Sequence, residues 1–511
     1  MTSRGAMQVI RMIGAALLLA TAGTTPAAPP QTDEARTAAL FDKVAGNGPA
    51  LRVFLRGMPK GGDLHNHLWG AIYAEDFLRW AADDDLCVVP ARSTLAPGPC
   101  AAPDTVPARG LGQRDPALYG RMVDAFSTRW HEAGVGDDAI TGHERFFSTF
   151  GRFAAIGVRA MPRMLAAARA EAAADHLAYV ELMQNPSQAG EAGRLAASLP
   201  WNSTDLAANL RGIEAELPRL VTAARAEMDR AEAEARRIGG CDDASPAPAC
   251  AVTVRYIATV DRSQPPATAF GQMALGFALA EADPRFPGIT ILAPEDLPVA
   301  VADYRLHMQM FRFLHSRYPK AKLTLHAGEL VQGLVPPADL SFHISDAIET
   351  AGARRIGHGV AIAHEKDAPA LLARMAREKI AVEINLTSNA VILGVKGRDH
   401  PLALYRAAGV PVVLSTDDQG VSRSDMTNEY FRAAIEQGLR YADLKKMARD
   451  SLEYSFLPGA SLWTGNGRVP VCATMTEACR AYLGKNEKAA IQWRLEQDFT
   501  AFEREILKSK L

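Results

Sequence analysis

Several motifs common in enzymes and binding proteins are missing from this 511-residue chain. It contains no CxxC pair, no GxGxxG or P-loop phosphate cradle and no GxSxG nucleophile elbow. These absences argue against a thioredoxin-like or cysteine-cluster site, a dinucleotide or nucleoside-triphosphate site, and a Ser-His-Asp hydrolase. The formal net charge of only -2, from 56 Lys+Arg and 58 Asp+Glu, provides no long-range field to attract nucleic acid or an anionic membrane. We therefore expect neither as a partner.

The N-terminus is apolar but too short to anchor the chain. Its run MIGAALLLATAG falls short of the roughly 20 residues that a transmembrane helix needs. Arg4 and Arg11 precede the run and TTPAAPP follows it, which is the pattern of a secretory signal peptide. We predict cleavage after Ala22 or near Ala27, with residues 1–27 as the signal peptide and a periplasmic or secreted mature protein. An ordinary core helix is the alternative.

Cysteine is scarce, and its spacing fits the same compartment. The six cysteines form three close pairs: Cys87 with Cys100, Cys241 with Cys250, and Cys472 with Cys479. In an oxidising compartment each pair could close a short surface loop as a disulfide. Six free buried thiols are the alternative.

After the leader, short β-rich runs alternate with helical stretches. Residues 33–57 and 205–238 each predict one helix, and eight β-rich runs lie along the chain: GGDLHNHL, LAYVELM, VTVRYIATV, GITILA, KLTLHAG, RIGHGV, IAVEINLT and VPVVLST. Eight parallel strands joined by helices predict an α/β fold, a (β/α)8 TIM barrel. We expect an N-terminal helical arm over 28–57, a barrel over 58–465 with an insertion after the first strand over 83–142, and a C-terminal helical extension over 466–511.

Histidines and carboxylates follow several of the predicted strands. His65 and His67 are two residues apart in DLHNHL, so both side chains point to one face of a strand. A lone HxH is a weak signal, but His326, His358 and Asp417 also lie where an apolar run gives way to a loop. In a barrel these positions meet at the C-terminal face, where active sites of this fold lie.

Three His and one Asp could bind a divalent metal and leave a position open for water. Such an ion lowers the pKa of bound water toward about 7, so hydroxide is available at neutral pH. Glu329, three residues after His326, is placed to act as a general acid/base, with a solvated loop carboxylate as the alternative. The pattern predicts a metal-dependent hydrolase.

Four motifs carry a family resemblance. MPKGGDLHNHLWG, TLHAGEL, RIGHGV and LSTDD, in this order within residues 58–457, resemble the adenosine deaminase family of zinc aminohydrolases. The leader and the paired cysteines resemble its secreted, growth-factor-related branch. The resemblance implies deamination of adenosine or 2'-deoxyadenosine to inosine or 2'-deoxyinosine and ammonia. A homodimer through the N-terminal helix stays open.

The same resemblance implies roles for individual residues. One Zn2+ per chain would be held by His65, His67, His326 and Asp417. Glu329 would pass a proton to a purine ring nitrogen, His358 would orient the hydroxide and stabilise the intermediate, and Asp418 would bind the imidazole edge of the purine. Trp69 and Gly328 are further predicted substrate contacts.

The sequence departs from the family pattern where the substrate would bind. Trp69 stands in place of an acid that holds the ribose, and Pro294 stands near a glycine whose N–H contacts the base, which proline lacks. Gln419 replaces a frequent proline. Other open positions are Glu295 and Asp296, as sugar contacts or loop residues, and Thr387, Ser388 and Asn389, as pocket or turn residues. Another amino-heterocycle (adenine, a modified adenosine or a pterin) and a non-catalytic nucleoside-binding barrel are therefore the alternatives.

Overall fold

The computed structural model describes residues 32–132, 134, 140–465, 467–509 and 511. The predicted signal peptide lies outside these residues. Eight strands form the central sheet: β1 Gly61–His67, β2 Leu177–Met183, β3 Thr253–Asp261, β4 Gly288–Leu292, β5 Lys322–Ala327, β6 Arg355–His358, β7 Ala381–Ile384 and β8 Val412–Leu414. Each predicted β-rich run overlaps one of them, and only the third strand, which ends at Asp261, extends one residue beyond its run.

Every strand pairs in parallel with the next one along the chain. The sheet closes just beyond β8, where the Asp417 N–H donates to the His65 carbonyl oxygen at 2.8 Å and the His67 N–H donates to the Asp417 carbonyl oxygen at 2.9 Å. Helices cover the outside, so the strands are buried on both faces, and all seven residues of β2 are buried. The predicted (β/α)8 barrel is confirmed.

The α-helices surround this barrel and extend it at both ends. They are Asp33–Val44, Gly48–Gly57, Ala74–Asp83, Leu111–Arg114, Pro116–Ala125, Gly142–Phe147, Met161–Ala174, Gln188–Ala197, Leu206–Ile213, Leu217–Ile238, Pro266–Ala282, Pro298–Arg317, His343–Asp346, Ala368–Glu378, Leu386–Leu393, Leu402–Ala407, Gln419–Ser422, Met426–Gln437, Tyr441–Glu453, Glu477–Lys485 and Glu487–Ile506. In the described part of the chain, none of these is long and apolar enough to cross a membrane.

Two predicted helices are each broken in two. The helix predicted over 33–57 ends at Val44 and restarts at Gly48, where the Asn47 side chain accepts the Ala50 N–H and Pro49 occupies the first turn. The helix predicted over 205–238 ends at Ile213 and restarts at Leu217, with Pro218 in its first turn. Proline lacks the N–H that a continuous helix needs, so the single-helix predictions were wrong at these points.

The segment between the first two barrel strands carries a small antiparallel sheet of Cys87–Val89, Thr94–Ala96 and Val106–Pro107, followed by short helices. All three predicted cysteine pairs are disulfides, with Cα–Cα separations of 5.5, 5.4 and 4.8 Å. At the C-terminus, the helix Glu487–Ile506 packs outside the barrel, where Arg494 donates to the carbonyl oxygens of Ala178 and Ala251.

We expect Gly61→Ala to lower the free energy of unfolding by about 2–5 kcal/mol. Gly61 begins β1 at φ 72°, and a Cβ there would lie 2.0 Å from the Ala448 carbonyl oxygen. The left-handed backbone costs about 1–2 kcal/mol with a side chain, and overpacking adds about 1–3 kcal/mol. Urea unfolding followed by circular dichroism measures the loss. Gly46→Ala is the control because that Cβ would meet no atom within 4 Å; equal midpoints for the two variants would contradict the prediction.

Candidate functional site

The predicted metal ligands converge at the C-terminal end of the barrel. The Nε2 atom of His67 lies 3.1 Å from Nε2 of His326 and 3.2 Å from Oδ1 of Asp417, while Nε2 of His65 lies 3.3 Å from the same oxygen. Ligands at roughly 2.0–2.1 Å from a tetrahedral metal are roughly 3.3 Å apart. The buried Nε2 of His65 also has no hydrogen-bond partner among the described residues. These donor atoms are therefore close enough together to bind one divalent ion.

Two overlapping groups of side chains are close enough to share an ion: His65, His326, His358 and Asp417 in one, and His67, Asp417 and Asp418 in the other. The distances favour His67 over His358 as the third histidine ligand. Nε2 of His358 is 3.9 Å from the nearer oxygen of Asp417, and its Nδ1 contacts the Asn389 amide. His358 thus lies beside the ligand set, close enough to contact a molecule bound there.

Buried partners orient the ligand histidines from behind. Nδ1 of His65 lies 2.7 Å from Oε2 of Glu383, and Nδ1 of His326 lies 2.9 Å from the Thr290 hydroxyl, so both rings turn Nε2 toward the cluster. Burial would raise the pKa of Glu383, but Arg355 and His65 outweigh it and lower the pKa to about 2. The sequence analysis missed Glu383 and Thr290; a carboxylate inside the apolar run IAVEINLT was the available signal.

Glu329 lies beside the cluster as predicted, with Oε1 3.5 Å from Nδ1 of His358. Burial, followed by the charges of Asp417 and Glu295, raises the pKa of Glu329 well above its usual value, so the carboxyl can hold a proton. Burial also lowers the pKa of His358 to about 3, which keeps that ring neutral. In this state the carboxyl of Glu329 can give up its proton, and the N–H of the neutral His358 ring can still donate a hydrogen bond at the site.

The loop that carries Glu329 is held by Glu295. This side chain is 2% exposed and accepts the N–H groups of Gly328 at 3.1 Å and Glu329 at 2.8 Å. It also contacts Nδ1 of His343 at 2.6 Å. Gly328, predicted as a substrate contact, does not line the cavity, and its N–H is already donated to Glu295. Neither Gly328 nor Glu295 therefore reaches the substrate space.

A cavity of about 630 Å³ opens above the cluster. Trp69, Phe146, Phe147 and Phe150 form an aromatic wall, and the neutral polar residues are Gln184, Asn185, Ser187, Thr259 and Gln272. The carboxyl groups on its surface belong to Glu329, Asp417 and Asp418. Within the described part of the chain, no Lys or Arg lines this cavity.

Other predicted contacts are placed around this space. Asp418 lines the cavity, and its buried Oδ1 has no partner among the described residues. Pro294 also lines the cavity and offers no N–H there. Asp296 instead contacts Nε2 of His143 at 3.0 Å. Ser388 donates its hydroxyl to Oδ2 of Asp417 at 2.6 Å, so part of EINLTSN supports a ligand from outside the cavity.

Comparisons with known sequences agree with these motifs. Residues 140–461 match the family model described as adenosine deaminase. The adenosine deaminases of Shewanella denitrificans and Enterococcus faecalis are 38% and 35% identical to this chain over 136 residues, which is 26% of this chain and 38% and 37% of the relatives. The match thus spans about two-fifths of the length of these curated relatives.

Solved structures share the fold over most of the chain. Arabidopsis ADAL, complexed with IMP, has a TM-score of 0.54 at 17% identity and covers 88% of this chain and 99% of its own. An adenine deaminase from Arthrobacter aurescens has a TM-score of 0.53 at 15% identity and covers 86% and 98%. At these identities the likeness supports the barrel and not a substrate.

We expect Glu383→Gln to weaken the binding of a divalent ion, with zinc as the probe, about 10–100-fold, because an amide oxygen accepts the Nδ1–H of His65 less strongly than a carboxylate does. Competition with a chromophoric chelator measures the affinity. Glu487→Gln, which changes another arginine-paired glutamate far from the cluster, is the control. Equal zinc affinity in both variants, with unchanged circular dichroism, would show that Glu383 does not support the ligand.

Proposed function

The chain belongs to the adenosine deaminase family, and from this premise we propose that it is a metal-dependent aminohydrolase that converts adenosine or 2'-deoxyadenosine to the corresponding inosine and ammonia. One observation carries the proposal. Glu329 and His358 line the same cavity as His67, His326 and Asp417, and Nε2 of His65 lies 3.3 Å from Oδ1 of Asp417. That arrangement unites a metal site, a proton carrier and room for a purine.

We propose zinc as the metal, one ion per chain, held by His65, His67, His326 and Asp417. Three imidazoles and a carboxylate are typical zinc ligands, and their donor atoms are close enough together to bind one ion. When bound, zinc supplies an activated water at neutral pH. The remaining chemistry belongs to the side chains around it.

Glu329 is proposed to deliver its proton to a ring nitrogen of the purine, which makes the amino-bearing carbon more electrophilic. His358 is proposed to donate a hydrogen bond to the oxygen that attacks this carbon. Burial and the charge of Asp417 raise the pKa of Asp418 well above its usual value. A protonated Asp418 can donate to a nitrogen of the imidazole edge, which is only an acceptor there.

The cavity favours a neutral substrate over a nucleotide. No Lys or Arg of the described residues lines it, so a phosphate would find no cationic side chain to pair with. The neutral amides of Gln184 and Gln272 suit ribose hydroxyls, and the aromatic wall with Trp69 suits a flat ring. Because Trp69 and Pro294 both lack the usual polar contact, another amino-heterocycle such as adenine is the second candidate.

We expect the zinc-loaded protein to convert adenosine and deoxyadenosine rapidly. For AMP we expect kcat/KM to be at least about tenfold lower, because no Lys or Arg of the described residues lines the cavity to pair with its phosphate. The loss of the adenosine spectrum in the ultraviolet, followed in parallel for the four substrates including adenine, measures the rates. Turnover of adenine alone would favour the second candidate. No turnover of any of the four, with zinc bound, would contradict the adenosine assignment.

Glu329→Gln tests the proton carrier. We expect kcat to fall about 10²–10⁴-fold while the zinc content stays unchanged, because an amide cannot transfer the proton and Glu329 is not among the ligands. Initial rates and elemental analysis measure the two quantities. A non-catalytic binding barrel would bind nucleoside equally in both proteins and convert it in neither.

We also propose that the protein works in the periplasm or outside the cell. The leader pattern of residues 1–27 and the three disulfides support this location. Placement in the secreted branch of the family stays a prediction. We expect exported protein to begin between Gly23 and Ala28 and to react with no thiol reagent before reduction. Mass spectrometry measures both properties; an intact leader with six alkylated cysteines would contradict the proposal.

A further inference from the structure

Behind His358, a chain of buried polar side chains leads away from the cavity. His358, Asn389 and His400 are 1%, 0% and 2% exposed. Neither Asn389 nor His400 lines the cavity. Asn389 belongs to the helix Leu386–Leu393 after β7, and His400 precedes the helix Leu402–Ala407. Polar groups buried this deeply are held by hydrogen bonds. Identifying the donor in each bond therefore shows which ring nitrogens carry protons.

The backbone N–H of Leu402 fixes which ring nitrogen of His400 carries the proton. The Leu402 N–H donates to Nδ1 of His400 at 3.1 Å. A backbone N–H can only donate, so Nδ1 of His400 carries no proton, and the neutral ring has its proton on Nε2. Nε2 of His400 lies 3.0 Å from Oδ1 of Asn389 and donates to it. This bond fixes which end of the Asn389 amide is oxygen.

The orientation of the Asn389 amide in turn fixes which ring nitrogen of His358 carries the proton. With its oxygen turned to His400, Asn389 donates from Nδ2 to Nδ1 of His358 at 2.9 Å. Nδ1 of His358 is therefore an acceptor, and the ring proton lies on Nε2, the atom that faces the metal cluster. Asn385 does not choose between the tautomers, because its Nδ2 is 3.4 Å from both ring nitrogens.

The other tautomer would be unproductive. A proton on Nδ1 of His358 could be donated to Oε1 of Glu329, 3.5 Å away. Nε2 would then carry no proton to donate toward the metal cluster. The Nδ1–H group would also bind the Glu329 carboxyl, which has to carry a proton itself. The bond from Asn389 opposes this state, because two donors would then face each other at 2.9 Å.

We propose that the Leu402 N–H, His400 and Asn389 form a relay that holds His358 in the Nε2–H tautomer, with Asn389 and His400 as positioning residues. The relay gives the attacking oxygen a fixed hydrogen-bond donor and leaves Glu329 free to transfer its proton. This inference rests on the proposed function for its catalytic consequence, although the tautomer itself is a property of the resting protein.

The test combines imidazole ¹H–¹⁵N spectroscopy with steady-state kinetics on the mature zinc-loaded protein, labelled with ¹⁵N-histidine. The His358 signal is the one that disappears in His358→Gln. His400→Leu removes the donor to Asn389 and frees that amide to rotate. His400→Gln is the conservative variant, because its amide oxygen can accept the Leu402 N–H while its nitrogen donates to Asn389.

We expect wild-type His358 to carry its proton on Nε2. In His400→Leu we expect an Nδ1–H population, kcat for adenosine lower by about 10²–10³-fold, the loss that follows removal of one oxyanion donor, and little change in KM. His400→Gln should restore the Nε2–H tautomer and bring kcat to within about tenfold of wild type.

His307→Leu is the matched control, since His307 is fully buried and its ring nitrogens have no partner among the described residues. It should change neither measurement.

An Nδ1–H tautomer in the wild-type protein would overturn the relay whatever the variants do. An unchanged tautomer in His400→Leu, with or without a loss of kcat, would overturn it as well. Should His400→Leu not fold, Asn389→Leu leaves the bond from Leu402 to His400 in place and carries the same expectation. A protein that converts no purine but still changes tautomer in His400→Leu would support the relay and contradict the proposed function, so the two failures are distinguishable.

Discussion

The barrel closes through the same residues that hold the candidate metal. The two backbone hydrogen bonds that join the end of β8 to β1 link Asp417 to His65 and His67. Closure therefore sets the distance between ligands from the two ends of the sheet, and strands that form no closed barrel would not bring these ligands together. We infer that metal binding and closure stabilise each other, because a ligand that binds only the folded state adds its binding free energy to folding.

Inside the barrel, below the metal site, a network of buried ion pairs and hydrogen bonds also joins residues from several strands. The guanidinium of Arg355 lies between the carboxylates of Glu181 and Glu383, and Glu383 also accepts the Thr324 hydroxyl at 2.6 Å and contacts His65. Buried charges are costly unless each is paired and hydrogen-bonded, and here all three are. The network thus fixes the His65 ring from strands on opposite sides of the barrel. Removing one member leaves an unpaired charge directly beneath the ligands.

The strands and the residues at their ends could be predicted from the sequence because both signals are local: apolar runs of strand length, several of which end at histidine or aspartate. The partners of these residues could not be predicted. Glu383 contacts a histidine 318 positions away, and the relay joins residues 358, 389 and 400 through side-chain contacts that only the folded chain creates. Asp417 and His358 also adopt left-handed backbone at φ 57° and 66°, a conformation that non-glycine residues rarely adopt and that the strand pattern does not indicate.

The residues proposed for catalysis and the aromatic residues that line the substrate cavity come from different parts of the chain. The metal ligands, Glu329 and His358 stand on or beside barrel strands, whereas the aromatic wall of Phe146, Phe147 and Phe150 comes from the segment between β1 and β2. His143, on the same segment, contacts Asp296 beyond β4, so the wall is joined to the rim of the barrel. Catalytic residues of this fold come from the ends of barrel strands, while loops tolerate more variation in sequence. Differences in substrate between proteins of this fold are therefore expected to lie in that wall and in the residues after β1 and β4, where Trp69 and Pro294 already depart from the family pattern.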